Sequence, residues 1–218
     1  MLYDPQVVEF LTKEFVFTKV DVNADTALAR KYSVLVTPTM IMMNADGSEV
    51  DRMGYYVDKD IFLTTFSDFK KGIGTLASME KKASTSVSPQ LAYDIGERYE
   101  LRNDAESARK WYHRSISLLK PDDSLAAECR VAMADIEYRR RNYPVAIAAW
   151  DSIAVSFSGG YFEEMAIYFR GYMYKKLGDT ARSLGQWEQY LLKFPEGSMA
   201  GYAREQKDLL KPPEPNKK

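Results

Sequence analysis

One small residue recurs at a fixed phase through the second half of this chain: Gly96, Ala134 and Gly171 lie 38 and 37 residues apart. Large rings follow at Tyr112, Trp150 and Trp187, with the small Ala108 and Ala146 between. A helix hairpin needs small side chains where its two helices approach closely. It needs large ones to fill the groove of the next hairpin. Such a repeat restricts the chain from Ser88 onward to successive helix pairs, because one pair cannot bury its apolar face alone. Turn signals stand at Pro121-Asp122-Asp123, Ser158-Gly159-Gly160 and Leu177-Gly178-Asp179. Ser198 to Leu210 read as a terminal capping helix, and residues 211–218, with three prolines, as a disordered tail.

The repeat resembles the tetratricopeptide (TPR) motif, whose period is about 34 residues. The excess length falls in the Pro121 and Gly159-Gly160 connections. The resemblance implies a concave surface lined by the first helix of each hairpin, where TPR arrays receive extended peptides or helices. Aligned on the repeat, the inward positions include Tyr93, Glu97, Glu100, Glu128, Asp135, Tyr138, Tyr168, Tyr172 and Lys175. Protein or peptide partners are expected there, since aromatic-rich surfaces suit recognition; the same tyrosines also suit packing between hairpins. The set lacks the dense Lys/Arg/Asn clamp that captures a C-terminal carboxylate.

Residues before 72 follow other patterns. Pro5 to Glu14 read as a helix, Phe15 to Val22 as a strand rich in β-formers, and Thr26 to Tyr32 as a short helix. Thr39 to Met43 form an apolar run suited to a strand covered on both faces. Asp46-Gly47 is a hairpin turn and Glu49 to Gly54 the returning strand. Asp58 to Lys71 read as an amphipathic helix with Ile61, Phe62, Phe66 and Phe69 on one side. Gly72 to Val87 read as a linker that is helical in part, over Leu76 to Lys82.

This order, with Lys19-Val20-Asp21-Val22, Val34-Leu35-Val36-Thr37-Pro38-Thr39, Asp46-Gly47 and Gly54-Tyr55, resembles the latter two-thirds of a thioredoxin-like domain over about residues 4–72. The resemblance implies a cis bond before Pro38 and a substrate-binding role for Thr37 and Pro38, with the Thr37 backbone pairing with an extended substrate. In that family the proline faces an upstream Cys-x-x-Cys pair on the end of a central strand. Neither the pair nor that strand precedes Pro38 here. A fragment of a longer protein is the favoured expectation. The alternatives are a partner chain that fills the gap, including a homodimer that covers the exposed sheet edges, and direct pairing of the two strands. The expected fold is an α/β incomplete thioredoxin-like domain over residues 1–72, a linker over 73–87, and an all-α TPR helical-repeat array over 88–210. That array would hold three hairpins and a capping helix, followed by the tail.

Counting limits the chemistry. The one cysteine, Cys129, cannot form an intrachain disulfide, and it suits a buried packing position. The one histidine, His113, has no acid or nucleophile in register, and one Cys with one His excludes a zinc site of the Cys/His type. Asp21-x-Asn23-x-Asp25 begins like a calcium loop, but Thr26 replaces its glycine and Tyr32 its closing glutamate. Arg139-Arg140-Arg141 suits a helix C-terminus. Net charge is −1, so no global field draws nucleic acid or anionic lipid. No apolar run approaches the roughly 20 residues that span a bilayer. Met1-Leu2-Tyr3-Asp4 lacks the basic start and apolar core of a signal peptide. An upstream export signal would place the protein in the periplasm or cell envelope of a bacterium, and its lack in the cytoplasm. No cofactor or metal is expected.

The functional expectation is the C-terminal portion of a thioredoxin-like thiol–disulfide exchange protein, serving cell redox homeostasis, whose TPR array binds protein partners. This chain alone would not catalyse exchange. A non-catalytic adaptor with a degenerate thioredoxin-like module is the alternative, and a structural role in a cell-envelope complex a third reading.

Overall fold

A computed structural model describes residues 2–210. The expected tail, 211–218, lies outside the described residues. By internal packing the chain divides into two units, Met1–Ser115 and Ile116–Lys218.

The first unit opens with α1 (Pro5–Glu14). The Asp4 carboxylate accepts from the Gln6 N–H, and Pro5 occupies the first turn, where its missing N–H costs nothing. Val7 and Leu11 are its buried side. The strand expected over Phe15 to Val22 does not form. A strand persists when neighbours take up its N–H and C=O groups, and no described strand lies beside this segment. Phe15 packs on Phe10 and Phe66, but Val16 is fully exposed, and Phe17 and Val20 are 49% and 41% exposed.

Helix α2 (Thr26–Lys31) starts where Asp25 accepts from the Leu28 N–H. It ends on Ser33, whose φ of 52° lets the N–H groups of Ser33 and Val34 return to the carbonyls of Arg30 and Ala29. Strands β1 (Thr39–Met43) and β2 (Glu49–Gly54) then pair antiparallel from Thr39↔Gly54 to Met43↔Glu49, with a bulge between Met42 and Met43. Gly47, at φ 83°, makes the turn that Asp46-Gly47 foretells. β1 pairs on one edge only and is mostly half-buried, not covered on both faces as its composition suggested. Helix α3 (Lys59–Lys70) buries Phe62, Phe66 and Phe69 against Val7, Leu11, Met42 and Met53. Phe62 and Phe66 stack at 4.6 Å. Ile61, expected on that side, is 51% exposed, because one step along a helix turns it off the buried stripe.

The same unit continues through α4 (Leu76–Thr85), α5 (Pro89–Glu100) and α6 (Ala105–Ile116). A charged network fixes β2 to these helices. Asp51 is fully buried and accepts from the Leu76 N–H at 2.6 Å and from Arg102 Nη2 at 2.6 Å. Arg52, 4% exposed, donates from Nη1 to the carbonyls of Tyr32 at 2.7 Å and Leu101 at 3.1 Å, and pairs with Glu49. Arg98 donates to the Arg52 carbonyl at 2.8 Å and lies over the Phe69 ring. A Cβ on Gly54 would come within 2.6 Å of the Leu101 side chain, so β2 and the end of α5 touch closely. Buried charges are tolerable only when paired and hydrogen-bonded, as here.

The second unit holds α7 (Ser124–Arg139), α8 (Tyr143–Ser156), α9 (Tyr161–Lys176), α10 (Thr180–Lys193) and α11 (Ala200–Leu210). Three hairpins, α5–α6, α7–α8 and α9–α10, share one internal design. The first helix of each ends on a residue with positive φ: Asn103, Arg141 and Gly178, again 38 and 37 residues apart. At each, two N–H groups return to the last carbonyls of the helix. A Cβ on Gly96 would lie 2.6 Å from the Tyr112 ring, and one on Gly171 2.9 Å from the Trp187 ring. Ala134 and Trp150 share a buried cluster. Ser183 donates to the Gly171 carbonyl at 2.9 Å and accepts from Trp187 Nε1 at 3.0 Å.

Two outcomes in urea denaturation follow. Gly171→Ala should lose about 1–3 kcal/mol by overpacking against Trp187, whereas Gly185→Ala, with open space around its helical position, should gain up to about 1 kcal/mol. Asp51→Ala should cost the first unit about 3–5 kcal/mol, because it strands Arg102 and the Leu76 N–H.

Candidate functional site

Two surfaces, one in each unit, gather the residues singled out by sequence. In the first unit the Thr37–Pro38 bond is cis, and both residues are exposed at the entry to β1. Thr39 Oγ1 donates to the Val36 carbonyl at 2.6 Å and closes the loop. Beside it opens a cavity of about 510 Å³, lined by Val22, Ala29, Val34 and Leu35 with Arg30, Ser33 and Asn103. An exposed extended loop leading into a strand with one unpaired edge offers N–H and C=O groups to an incoming extended backbone.

Tyr93, Glu97 and Glu100 also lie in this unit, on α5, and the structure commits two of them to their own hairpin. Tyr112 donates to Glu100 Oε2 at 2.7 Å, and the Tyr93 and Tyr112 rings meet at 5.6 Å. Burial, then the charge of Glu100, pushes the Tyr112 phenol up. Desolvation holds the Glu97 carboxyl above its ordinary range, a hydrogen bond from Tyr93 opposes this, and neighbouring Asp94 and Glu100 add to the rise.

In the second unit the structure brings Tyr138 of α7 against Tyr172 of α9, ring centroids 6.1 Å apart. Tyr143 joins from α8 at 5.9 Å from Tyr138. One helical turn from Tyr172, Tyr168 meets Tyr202 of α11 at 5.6 Å. Lys175 donates to Gln206 Oε1 at 2.5 Å, and Lys176 lies 5.1 Å from the Tyr172 ring centre. Asp135, one turn before Tyr138, pairs with Arg139. Glu128 is exposed near the start of α7. Thus Asp135, Tyr138, Tyr168, Tyr172 and Lys175 form one side of α7 and α9.

The sequence reading missed Tyr202, Gln206, Lys176 and Tyr143. Tyr202 and Gln206 lie four residues apart on α11, a helix read only as a cap and outside the repeat phase. The phenols of this face are set apart electrically. Burial, then a hydrogen bond to Tyr172, raises Tyr138 to about 12. That bond, with the ammonium of Lys176, lowers Tyr172 below the ordinary phenol range. Burial raises both Tyr168 and Tyr202.

Cys129 is buried in α7, in the second unit. Among the described residues no group of His, Cys, Asp and Glu could hold a metal ion, and no helix is long and apolar enough to cross a membrane.

The family model of the thioredoxin-like domain matches residues 1–70. The first part of the chain is thioredoxin-like. Its order of α1, α2, β1, β2 and α3, with the cis proline before β1, agrees with that match. A search of curated proteins returns no match to the chain.

The phenol face has a spectroscopic signature. In an ultraviolet phenolate titration, Tyr172→Phe should remove a step that lies below pH 10 in the parent chain. Tyr138→Phe should remove one near 12 and shift the Tyr172 step upward, because the proton donor to Tyr172 is lost.

Proposed function

We propose that this chain is the partner-binding portion of a thioredoxin-like thiol–disulfide exchange system, with its helix hairpins acting as a TPR array that holds protein clients. The observation that carries the reading is the tyrosine-lined side of α7 and α9, extended by Tyr202 of α11. Aromatic rings with polar tips supply large contact area at low entropic cost and recur where proteins bind proteins. The regular repeat, the small residues beneath rings and the left-handed caps support the TPR assignment. The thioredoxin-like region supplies the exchange context, with Thr37 and Pro38 in the substrate groove. With a single cysteine, the exchanging dithiol is not within these 218 residues.

A non-catalytic adaptor is the second reading, favoured by the burial of Cys129 away from solvent. Both share the client-binding face and differ in whether a dithiol is supplied to the Pro38 loop.

Fluorescence anisotropy with labelled, reduced and carboxymethylated α-lactalbumin, an unfolded client, tests the shared part. Binding should be saturable, and Tyr138→Ala with Tyr172→Ala should weaken it by about tenfold or more. Equal binding by the parent and the double variant, with folding verified by circular dichroism, would remove the tyrosine face from this role.

A further inference from the structure

The cavity beside the Pro38 loop has walls that are held in place from several directions. Val22, Ala29, Val34 and Leu35 give it an apolar side. Its volume of about 510 Å³ falls within the roughly 300–1,000 Å³ of small-ligand sites. Ser33 and Asn103, also in the lining, cap α2 and α5 at φ 52° and 59°. Beside both caps the Arg52 guanidinium takes up a carbonyl, that of Tyr32 and that of Leu101, from the one nitrogen Nη1. A Cβ on Gly54 would come within 2.6 Å of the Leu101 side chain and 3.1 Å of Val36, so the loop carrying Val34 and Leu35 is packed as well. Walls fixed in this way lose little freedom when a ligand enters. Asn103 lies beyond the residues matched by the family model, so the cavity combines the thioredoxin-like region with α5.

Arg30 decides the charge of the ligand. It is the one charged residue of the lining among the described residues. Its Nε donates to the Thr26 carbonyl at 3.2 Å and its Nη2 to the Thr26 hydroxyl at 3.1 Å. These bonds hold the side chain along α2, and among the described residues Nη1 makes no hydrogen bond and no carboxylate pairs with the group. The acids nearest the lining residues in sequence are turned to backbone N–H groups instead: Asp21 to Asn23, Asp25 to Leu28 and Asp104 to Ser107. A guanidinium only donates and keeps its proton, whereas the Ser33 hydroxyl and the Asn103 amide can give or accept and so follow the ligand. A charge-assisted bond to an anion is therefore the strongest contact the cavity offers. One guanidinium balances a single negative charge. The lining holds no aromatic ring, so the body that fits it is aliphatic.

We infer that this cavity binds a small aliphatic carboxylate, with its chain on Val22, Ala29, Val34 and Leu35 and its carboxylate on Arg30. The site is separate from the tyrosine-lined side of α7 and α9 and does not depend on client binding there.

Amide chemical-shift titration of the full chain by nuclear magnetic resonance tests it with hexanoate, 1-hexanol and hexylammonium. Hexanoate should give saturable shifts at Ser33, Val34, Leu35 and Asn103 and bind about tenfold tighter than 1-hexanol, with hexylammonium weakest. Arg30→Gln, at an exposed position, should bring hexanoate down to the level of 1-hexanol and leave 1-hexanol unchanged, and Arg30→Lys should keep part of the difference. Ala29→Leu, which fills the apolar side, should weaken both ligands. Equal binding of hexanoate and 1-hexanol, an Arg30→Gln variant that binds hexanoate like the parent, or no saturable shift at these four amides with millimolar hexanoate would overturn the site. The peptide acetyl-Gly-Gly-Leu binding there more tightly than hexanoate, and losing that binding when its C-terminus is amidated, would move the ligand to a chain end and overturn the small-molecule class.

Discussion

Sixteen residues separate each small position from the ring that covers it, from Gly96 to Tyr112, Ala134 to Trp150 and Gly171 to Trp187. That spacing sets where the second helix of a hairpin crosses the first. The ring can sit only where Cβ is missing or minimal, so the two helices have one register and no sliding alternative. The left-handed caps at Asn103, Arg141 and Gly178 turn the chain at a matching distance. With the rings on the second helices turned inward, α7 and α9 keep another side free of them. On that side Tyr138, Tyr168 and Tyr172 gather, and α11 adds Tyr202. The tyrosine-lined side is thus a by-product of how tightly each hairpin closes.

Much of this was legible before any coordinates. Hydrophobic periodicity and the proline and glycine punctuation place α1, α2, α3, α11 and both observed strands within a residue or two, and the repeat phase foretells three helix pairs after Ser88. What failed, failed for non-local reasons. Phe15 to Val22 has strand composition, but composition expresses only what a residue prefers when a neighbouring strand is present. Asp51 and Arg52 look like surface residues in sequence. Their burial depends on Arg98, Arg102 and the Leu76 N–H arriving from far along the chain.

The candidate site divides in the same way. The phase of the repeat was enough to bring Tyr138, Tyr168, Tyr172 and Lys175 to one side, because those positions follow from helix geometry alone. It was not enough for Tyr93 and Glu100, which the hairpin draws into its own contacts with Tyr112. Nor did it reveal Tyr202 and Gln206, which depend on how α11 packs on α9. A tyrosine's preference for a half-wet, half-dry position fits both fates, so only the packing decides between them.

Arg52 joins three stretches that are distant in sequence: its guanidinium reaches Tyr32 at the end of α2 and Leu101 at the end of α5, and its backbone belongs to β2. Segments tied by a buried guanidinium open together or not at all, so they form one cooperative exchange unit. The family match ends at residue 70, but that unit does not. A fragment cut there would keep Asp51 and Arg52 while losing Leu76, Leu101 and Arg102, their partners. The matched region keeps its apolar core within its own boundary but has its buried charges satisfied by helices beyond it, so the stretch matched by the family model and the first packing unit of this protein are different stretches of chain.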